Sequence, residues 1–166
     1  MPLNNFGYVC SKTSGKTIDF EGLTYHLYRS AQPYTRDAQT LYKLGIKSIV
    51  KLNLPVMGSE EFPYYDNRIT TYNCPLPSLF RFRSLHDIIK ICDKIDRYLT
   101  QGNVLVHCTH GRDRTGLVCA AYRILYHGAT ISQVNEERAE YGVNSIIGLF
   151  DYPDKLILKD IANERD

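Results

Sequence analysis

Cys108 and Arg114 stand six positions apart in His107-Cys108-Thr109-His110-Gly111-Arg112-Asp113-Arg114-Thr115-Gly116, and no other stretch of the chain gathers so much reactive chemistry. The run before it, Val104-Leu105-Val106, has the apolar character of a short buried strand, and Leu117 to Leu125 that of a buried helix. A tight loop between strand and helix aims backbone N–H groups and the positive end of the helix dipole at one small volume, which favours an anion. Arg114 at the helix entrance can hold two phosphate oxygens with its planar fork. Cys108 at the base of the loop shares that positive field, which stabilises thiolate over thiol and makes a nucleophile beneath a site shaped for a tetrahedral anion. Gly111 permits a positive φ where the loop reverses, Gly116 allows close backbone packing at the helix start, and Thr115 brings a hydroxyl within reach of the sulfur.

The pattern His-Cys-x-x-Gly-x-x-Arg-Thr-Gly resembles the phosphate-binding loop of the cysteine-dependent protein tyrosine phosphatase superfamily, most of all its compact dual-specificity branch. Leu27-Tyr28-Arg29-Ser30-Ala31-Gln32-Pro33 and Leu44-Gly45-Ile46-Lys47-Ser48-Ile49-Val50 are similar to the opening of small bacterial and plant-type members, so the resemblance spans roughly residues 24 to 160. It implies two-step hydrolysis of a phosphate monoester. Cys108 attacks phosphorus in line, Thr109 to Arg114 bind the phosphate, water then hydrolyses the phosphocysteine, and Thr115 helps the sulfur depart. His107 would support the loop, and neither metal nor other cofactor is required. A sulfur-transfer loop would not need Arg114 followed by Thr115. A metal site at His107, Cys108 and His110 lacks a fourth ligand, and the arginine would repel a cation.

The leaving oxygen also needs a proton. Most relatives carry an Asp for this on a mobile loop roughly thirty residues before the cysteine, an offset that lands here on Pro75 to Ser78. This chain has no acid between Cys74 and Arg83. Asp113, immediately before the arginine as in some lipid-directed relatives, is the leading replacement, against the alternative that it points outward and pairs with Arg112 or another surface base. Asp66 would need the chain to fold back, and Asp87 serves a helix start.

The elements around the loop follow from pattern. The chain has 166 residues, 43% hydrophobic and 23% charged, enough for one domain with a single core, and a net charge of +2 gives no argument for nucleic acid. No apolar run approaches a membrane span and Met1 to Phe6 lacks a signal-peptide layout, so a cytoplasmic protein is expected. Five scattered cysteines, Cys10, Cys74, Cys92, Cys108 and Cys119, suit a reducing compartment. Cys92 and Cys119 fall on apolar helix faces, while Cys10 or Cys74 could trap an oxidised Cys108.

Residues 1–22 show no period and are expected to be an arm or irregular lead-in to a phosphatase domain over 23–166. Ser14-Gly15-Lys16-Thr17 imitates the end of a nucleotide-binding loop, but the glycine required earlier is Cys10. Strands are expected at Leu23–Arg29, Ile46–Leu52 and Ile69–Cys74, and a helix from a Thr35 cap to Gly45. Asn53–Gly58 should be a turn-rich crossing, and the acidic and aromatic stretch Glu60–Asp66 that follows should lie on the surface. Pro75 to Arg83 should be a loop, since two prolines forbid regular pairing. Ser84 opens a helix with a stripe at Leu85, Ile88, Ile89, Cys92, Ile95 and Leu99. Thr130 with Gln133 caps another through Tyr141. Asn144 to Phe150 should form a short turn, and Pro153 to Ile161 a terminal helix. This alternation predicts an α/β fold, a single-domain three-layer sandwich with a mostly parallel sheet and the site at a strand's carboxyl end.

A shallow pocket is expected, because the chain is too short for the pocket-deepening loop of large tyrosine-specific relatives. The favoured substrate is a phosphorylated protein, on tyrosine or on serine and threonine, handled by a monomer. His-Cys-Thr-His-Gly is similar to RNA 5′-triphosphatases, and Gly-x-Asp-Arg-Thr-Gly to phosphoinositide phosphatases, for which His110, Arg112, Arg81 and Arg83 would meet extra phosphates unless they form only a solvated rim. A phospho-reader without turnover is the alternative from another class.

Overall fold

The computed structural model describes residues 3–15, 17–18, 21–54, 68–77, 83–143 and 148–165, with the side chains of 148–152 left aside. Five strands form one sheet: β1 (Gly7–Ser14), β2 (Leu23–Ser30), β3 (Ile46–Lys51), β4 (Thr70–Asn73) and β5 (Asn103–His107). Their order is β1-β2-β5-β3-β4, with β1 antiparallel to β2 and the other three pairings parallel. Val104, Leu105 and Val106 of central β5 are wholly buried, as expected of a parallel strand covered on both faces.

Helices α2 (Leu85–Tyr98), α3 (Asp113–His127), α4 (Ile131–Glu140) and α5 (Gly148–Arg165) supply one covering layer. The core on that side joins Ile88, Cys92 and Ile95 of α2 to Leu117 and Tyr122 of α3, Val134 of α4 and Leu158 of α5. On the opposite face, α1 (Ala38–Lys43) packs Leu41 against Ile46, Ile49 and Leu105, with Leu3 of the N-terminal segment beside it. The α/β sandwich with a mostly parallel sheet is therefore as expected, its second layer being much the thinner.

Local signals explain most boundaries. The Ser84 hydroxyl accepts the Asp87 N–H, and Thr130 and Gln133 form a reciprocal capping box. Helix α3 is apolar almost all round because sheet and helices enclose it, and Gly128 ends it in the left-handed conformation.

Three expectations need correction. Residues 7–14 are strand β1, not irregular lead-in: it is a polar edge strand in which Cys10 alone is buried, so it carries no apolar period. Thr35 does not cap α1 but lies in a 3-10 turn, Thr35–Asp37, before it. Past β4 the described residues 74–77 form no regular element, as the prolines require, although two backbone bonds to the end of β3 and the residue after it persist. The N–H groups of Cys74 and Leu76 donate to Lys51 O at 2.8 Å and Leu52 O at 2.9 Å, while Pro75 and Pro77 take the alternate positions, where an edge needs no donor. Finally, α5 runs unbroken from Gly148 with Pro153 inside it, so Gly148 to Phe150 belong to the terminal helix. In α2 the buried stripe uses Ile91, with Ile89 only half-buried. Residues 55–67, Ser78, Arg81 and Asn144 fall outside the described residues, and with them Asp66.

Candidate active site

Register alone brings the site together. Ser30 of β2 pairs with His107 of β5, His107 with Lys51 of β3, and Lys51 with Asn73 of β4, so four parallel strands end level with one another. The loop bearing Cys108 leaves the central one. Cys108 is 3% exposed, and the chain re-enters a helix at Asp113.

The loop's carbonyls are gripped from behind. The Gln32 N–H donates to Thr109 O at 3.2 Å. The Asn5 side-chain amide donates to His110 O at 3.1 Å and Gly111 O at 3.0 Å, and also to Tyr141 O at 3.2 Å. The buried Arg29 guanidinium donates to Gly111 O at 2.7 Å while its carbon lies 3.8 Å from the Tyr141 ring centroid. In a trans peptide the N–H points opposite to the carbonyl of the same plane. Holding the carbonyls of Thr109, His110 and Gly111 outward therefore turns the N–H groups of His110, Gly111 and Arg112 to the other side, which is how a chain builds an anion-binding concavity.

Gly111 is required at its place. Its φ is +67°, and a Cβ there would lie 2.5 Å from both the carbonyl carbon and oxygen of Ser30. Gly116 differs from expectation: a Cβ would sit 3.5 Å from Val143 and 3.6 Å from Arg138, ordinary contact distances, so close packing does not demand the glycine.

Arg114 reaches across the strand ends. Its Nη1 donates to Leu52 O at 3.3 Å and Leu76 O at 3.4 Å, and its Nη2 to the Thr109 hydroxyl at 3.3 Å. Thr115 is fully buried, and its hydroxyl has no hydrogen-bond partner among the described residues. Asp113 is the first residue of α3, half-buried at the positive end of the helix dipole. His110 and Arg112 are exposed on the rim. A cleft of about 500 Å³ opens beside them, lined by Asn5, Gln32, Tyr34, Thr109, His110 and Arg112.

His107 lies wholly buried under the loop. Its Nδ1 is 3.4 Å from Cys108 O, which can only accept, so the proton belongs on Nδ1. Burial pushes its pKa from 6.5 down to about 3, with Lys51 and Arg114 adding to the effect and the Cys108 carbonyl opposing it. The imidazole is neutral at physiological pH. The unfolded chain binds one more proton than the folded one between those two values, so this stabilising contribution is complete above the unfolded value and is lost as pH falls toward about 3. Urea unfolding at pH 7 and pH 4.5 should show the native protein losing stability more steeply than His107→Asn; parallel losses would mean that His107 does not carry this linkage.

The segment that stands where most relatives carry their acid loop is anchored where it is described. Arg83 donates through Nε to Pro77 O at 3.0 Å and through Nη1 to both Asp154 oxygens at 2.8 Å, and Arg138 reaches Asp154 at 3.4 Å. Arg83, with its side chain 3% exposed, is thus a buried ion-pair partner and not a rim base for extra phosphates. Cys10, Cys74, Cys92 and Cys119 are buried free thiols, and burial pushes Cys10 up to about 12 and Cys119 to about 11. None of the four is a poised thiolate.

Sequence reasoning missed Asn5, Gln32 and the work of Arg29. A charged residue on the strand face shared with Tyr25 and Leu27 was the available signal for Arg29. Asn5 and Gln32 left none, since their bonds are to backbone far along the chain.

Residues 24–129 match the family model described as polymorphic toxin system, DSP-PTPase phosphatase. The dual specificity protein phosphatase TpbA of Pseudomonas aeruginosa is 30% identical over 117 residues, covering 68% of this chain and 49% of TpbA. The chain thus spans about half the length of the curated relatives it matches. The crystal structure of P. aeruginosa TpbA superposes with a TM-score of 0.67 at 22% identity, over 84% of this chain and 83% of that one. That of PTPMT1 in complex with PI(5)P gives 0.64 at 17% identity, over 84% and 94%. At these identities the structural likeness establishes the fold.

Proposed function

The chain belongs to the DSP-PTPase phosphatase family of polymorphic toxin systems, and from that membership we propose that it hydrolyses phosphate monoesters through a phosphocysteine intermediate, acting as a dual-specificity or tyrosine protein phosphatase. The observation that carries the proposal is the loop whose carbonyls are tied back by Asn5, Gln32 and Arg29 at the carboxyl end of β5, with Cys108 at its base and Arg114 at its exit. Cys108 Sγ attacks phosphorus as the ester oxygen leaves. The loop N–H groups and Arg114 stabilise the equatorial oxygens, and water then attacks phosphorus and releases the sulfur. The Thr115 hydroxyl, without a partner among the described residues, is assigned to the departing sulfur, since a buried O–H gains most from a charge that appears beside it. Neutral His107 supports the loop through the Cys108 carbonyl.

Asp113 is assigned as the acid that protonates the leaving oxygen. It is half-buried in the first residue of α3, directly before Arg114, and no carboxylate lies in the anchored segment after β4. Asp113→Asn should slow a phosphoserine peptide about 100-fold and p-nitrophenyl phosphate, whose leaving group needs no proton, by less than about threefold. Equal slowing of both would remove the assignment.

The substrate proposed is a phosphorylated protein. With Arg83 committed to Asp154, the basic rim consists of His110 and Arg112 among the described residues named for that role, which gives little support to a polyphosphorylated headgroup. No helix among the described residues is long and apolar enough to cross a membrane. A catalytic thiol and four further free thiols suit a reducing compartment, the cytoplasm, where the protein would act as a monomer. Parallel assays with phosphotyrosine and phosphothreonine peptides, phosphatidylinositol phosphates and 5′-triphosphorylated RNA test the substrate class. Turnover confined to the lipid or the RNA would overturn it.

A further inference from the structure

A cavity of about 150 Å³ lies between β1 and the helices α3 and α4, and it shares no lining residue with the cleft at the rim. Part of its wall is apolar: Val9, Ala120 and Val134, with Cys119 beside them. Val9 sits where the β1–β2 register slips by one residue, so the bulge helps shape the opening.

Arg29 also lines this cavity, and its charge is not balanced there. The residue is 3% exposed, Nη2 is committed to Gly111 O at 2.7 Å, and one face lies on the Tyr141 ring. Its Nε–H is buried without an acceptor, and no carboxylate pairs with it among the described residues. The other charges at the wall are differently placed. Arg138 bonds Asp154, Glu137 is held by Arg123 at 2.6 Å, and Glu140 is exposed. A buried guanidinium with no counter-charge among the described residues is penalised until an anion comes near it. A space of this size accepts a body as large as a single aromatic ring.

We propose that this cavity is a second anion site, for a small carboxylate carrying a short apolar body, with the carboxylate facing the Arg29 guanidinium charge and the body against Val9, Ala120 and Val134. The same guanidinium holds the Gly111 carbonyl, so occupancy here is coupled to anion binding in the Cys108 loop. The site goes beyond the phosphatase reading, and its first readout does not depend on turnover.

The test uses benzoate as the probe, with chloride at matched ionic strength as control, followed by amide chemical shifts of the native chain. Saturable shifts at Gly116, Ala120, Val134 and Tyr141 are expected. Ala120→Leu should weaken binding at least about tenfold by filling the space. The exposed substitution Glu140→Gln, which does not threaten the core, should tighten binding about two- to fivefold by removing a like charge. Phosphate affinity at saturating benzoate should change by at least about threefold, and benzoate affinity at saturating phosphate by the same factor. No saturable shift, shifts confined to Thr109–Arg114, or a Glu140→Gln affinity equal to the parent would overturn the site. Independent phosphate and benzoate affinities would overturn the coupling.

Discussion

Cys108→Ser should lower turnover of p-nitrophenyl phosphate by at least about 10⁴-fold while leaving phosphate binding within about threefold of the native value. Sulfur and hydroxyl are similar in size, so the loop need not move: its carbonyls remain tied to Asn5, Gln32 and Arg29, and Arg114 keeps its place across Leu52, Leu76 and Thr109. On the proposed mechanism the variant loses its nucleophile, because a serine hydroxyl is a far weaker nucleophile than a cysteine sulfur near neutral pH. The two readouts separate the hydrolase from a phospho-reader, since only the hydrolase loses a reaction. Stopped assays measure the first and isothermal titration the second. Turnover within about tenfold of the native rate would remove sulfur from the mechanism.

Gly111→Ala should lower kcat/KM by about 100-fold and depress the melting temperature by about 5 °C. Two costs combine. A residue with a Cβ at φ +67° is strained by about 1–2 kcal/mol. The added methyl also meets the Ser30 carbonyl at 2.5 Å, and since that group is backbone no side chain can rotate away. The loop must lift from β2, and lifting it pulls Gly111 O from Arg29 and Asn5 and misdirects the N–H groups. Gly116→Ala is the control. Its Cβ meets Val143, Arg138 and Arg29 at 3.5 to 3.7 Å, and the change should be nearly silent in the melting temperature. Thermal unfolding and initial rates on the two variants measure the contrast, and a Gly111→Ala protein as active as Gly116→Ala would refute the close-approach account.

The difference between those glycines marks the limit of the sequence. Spacing identifies Cys108, Arg114 and the glycine at the reversal, because a strand, a loop and a helix in succession leave few places for them. It does not reveal which glycine faces backbone, since that depends on Ser30 arriving beside Gly111 from a strand some eighty residues earlier in the chain. Elements with their own apolar period, such as α2 and β5, are legible. Strand β1 is not, because an edge strand buries one residue and its partner supplies the order.

The acid loop shows the same division. That Pro75 to Ser78 lacks a carboxylate is plain in the sequence, but the anchoring of Pro77 is not. It requires Arg83 and Asp154, seventy-one residues apart, to meet in the interior. In sequence Arg83 reads as a surface base, because nothing local marks it as buried. Long-range polar pairs of this kind leave no periodic trace, whereas the apolar residues around them do.

Rapid mixing of the native protein with p-nitrophenyl phosphate, acid quenching within the first turnover and mass analysis of the peptide containing Cys108 tests the central claim most directly. The account predicts an adduct of about 80 Da on that peptide, acid-stable as a thiophosphate, formed no more slowly than the steady-state rate and absent from Cys108→Ser. Full turnover with no adduct at Cys108, or an adduct on another residue, would contradict it.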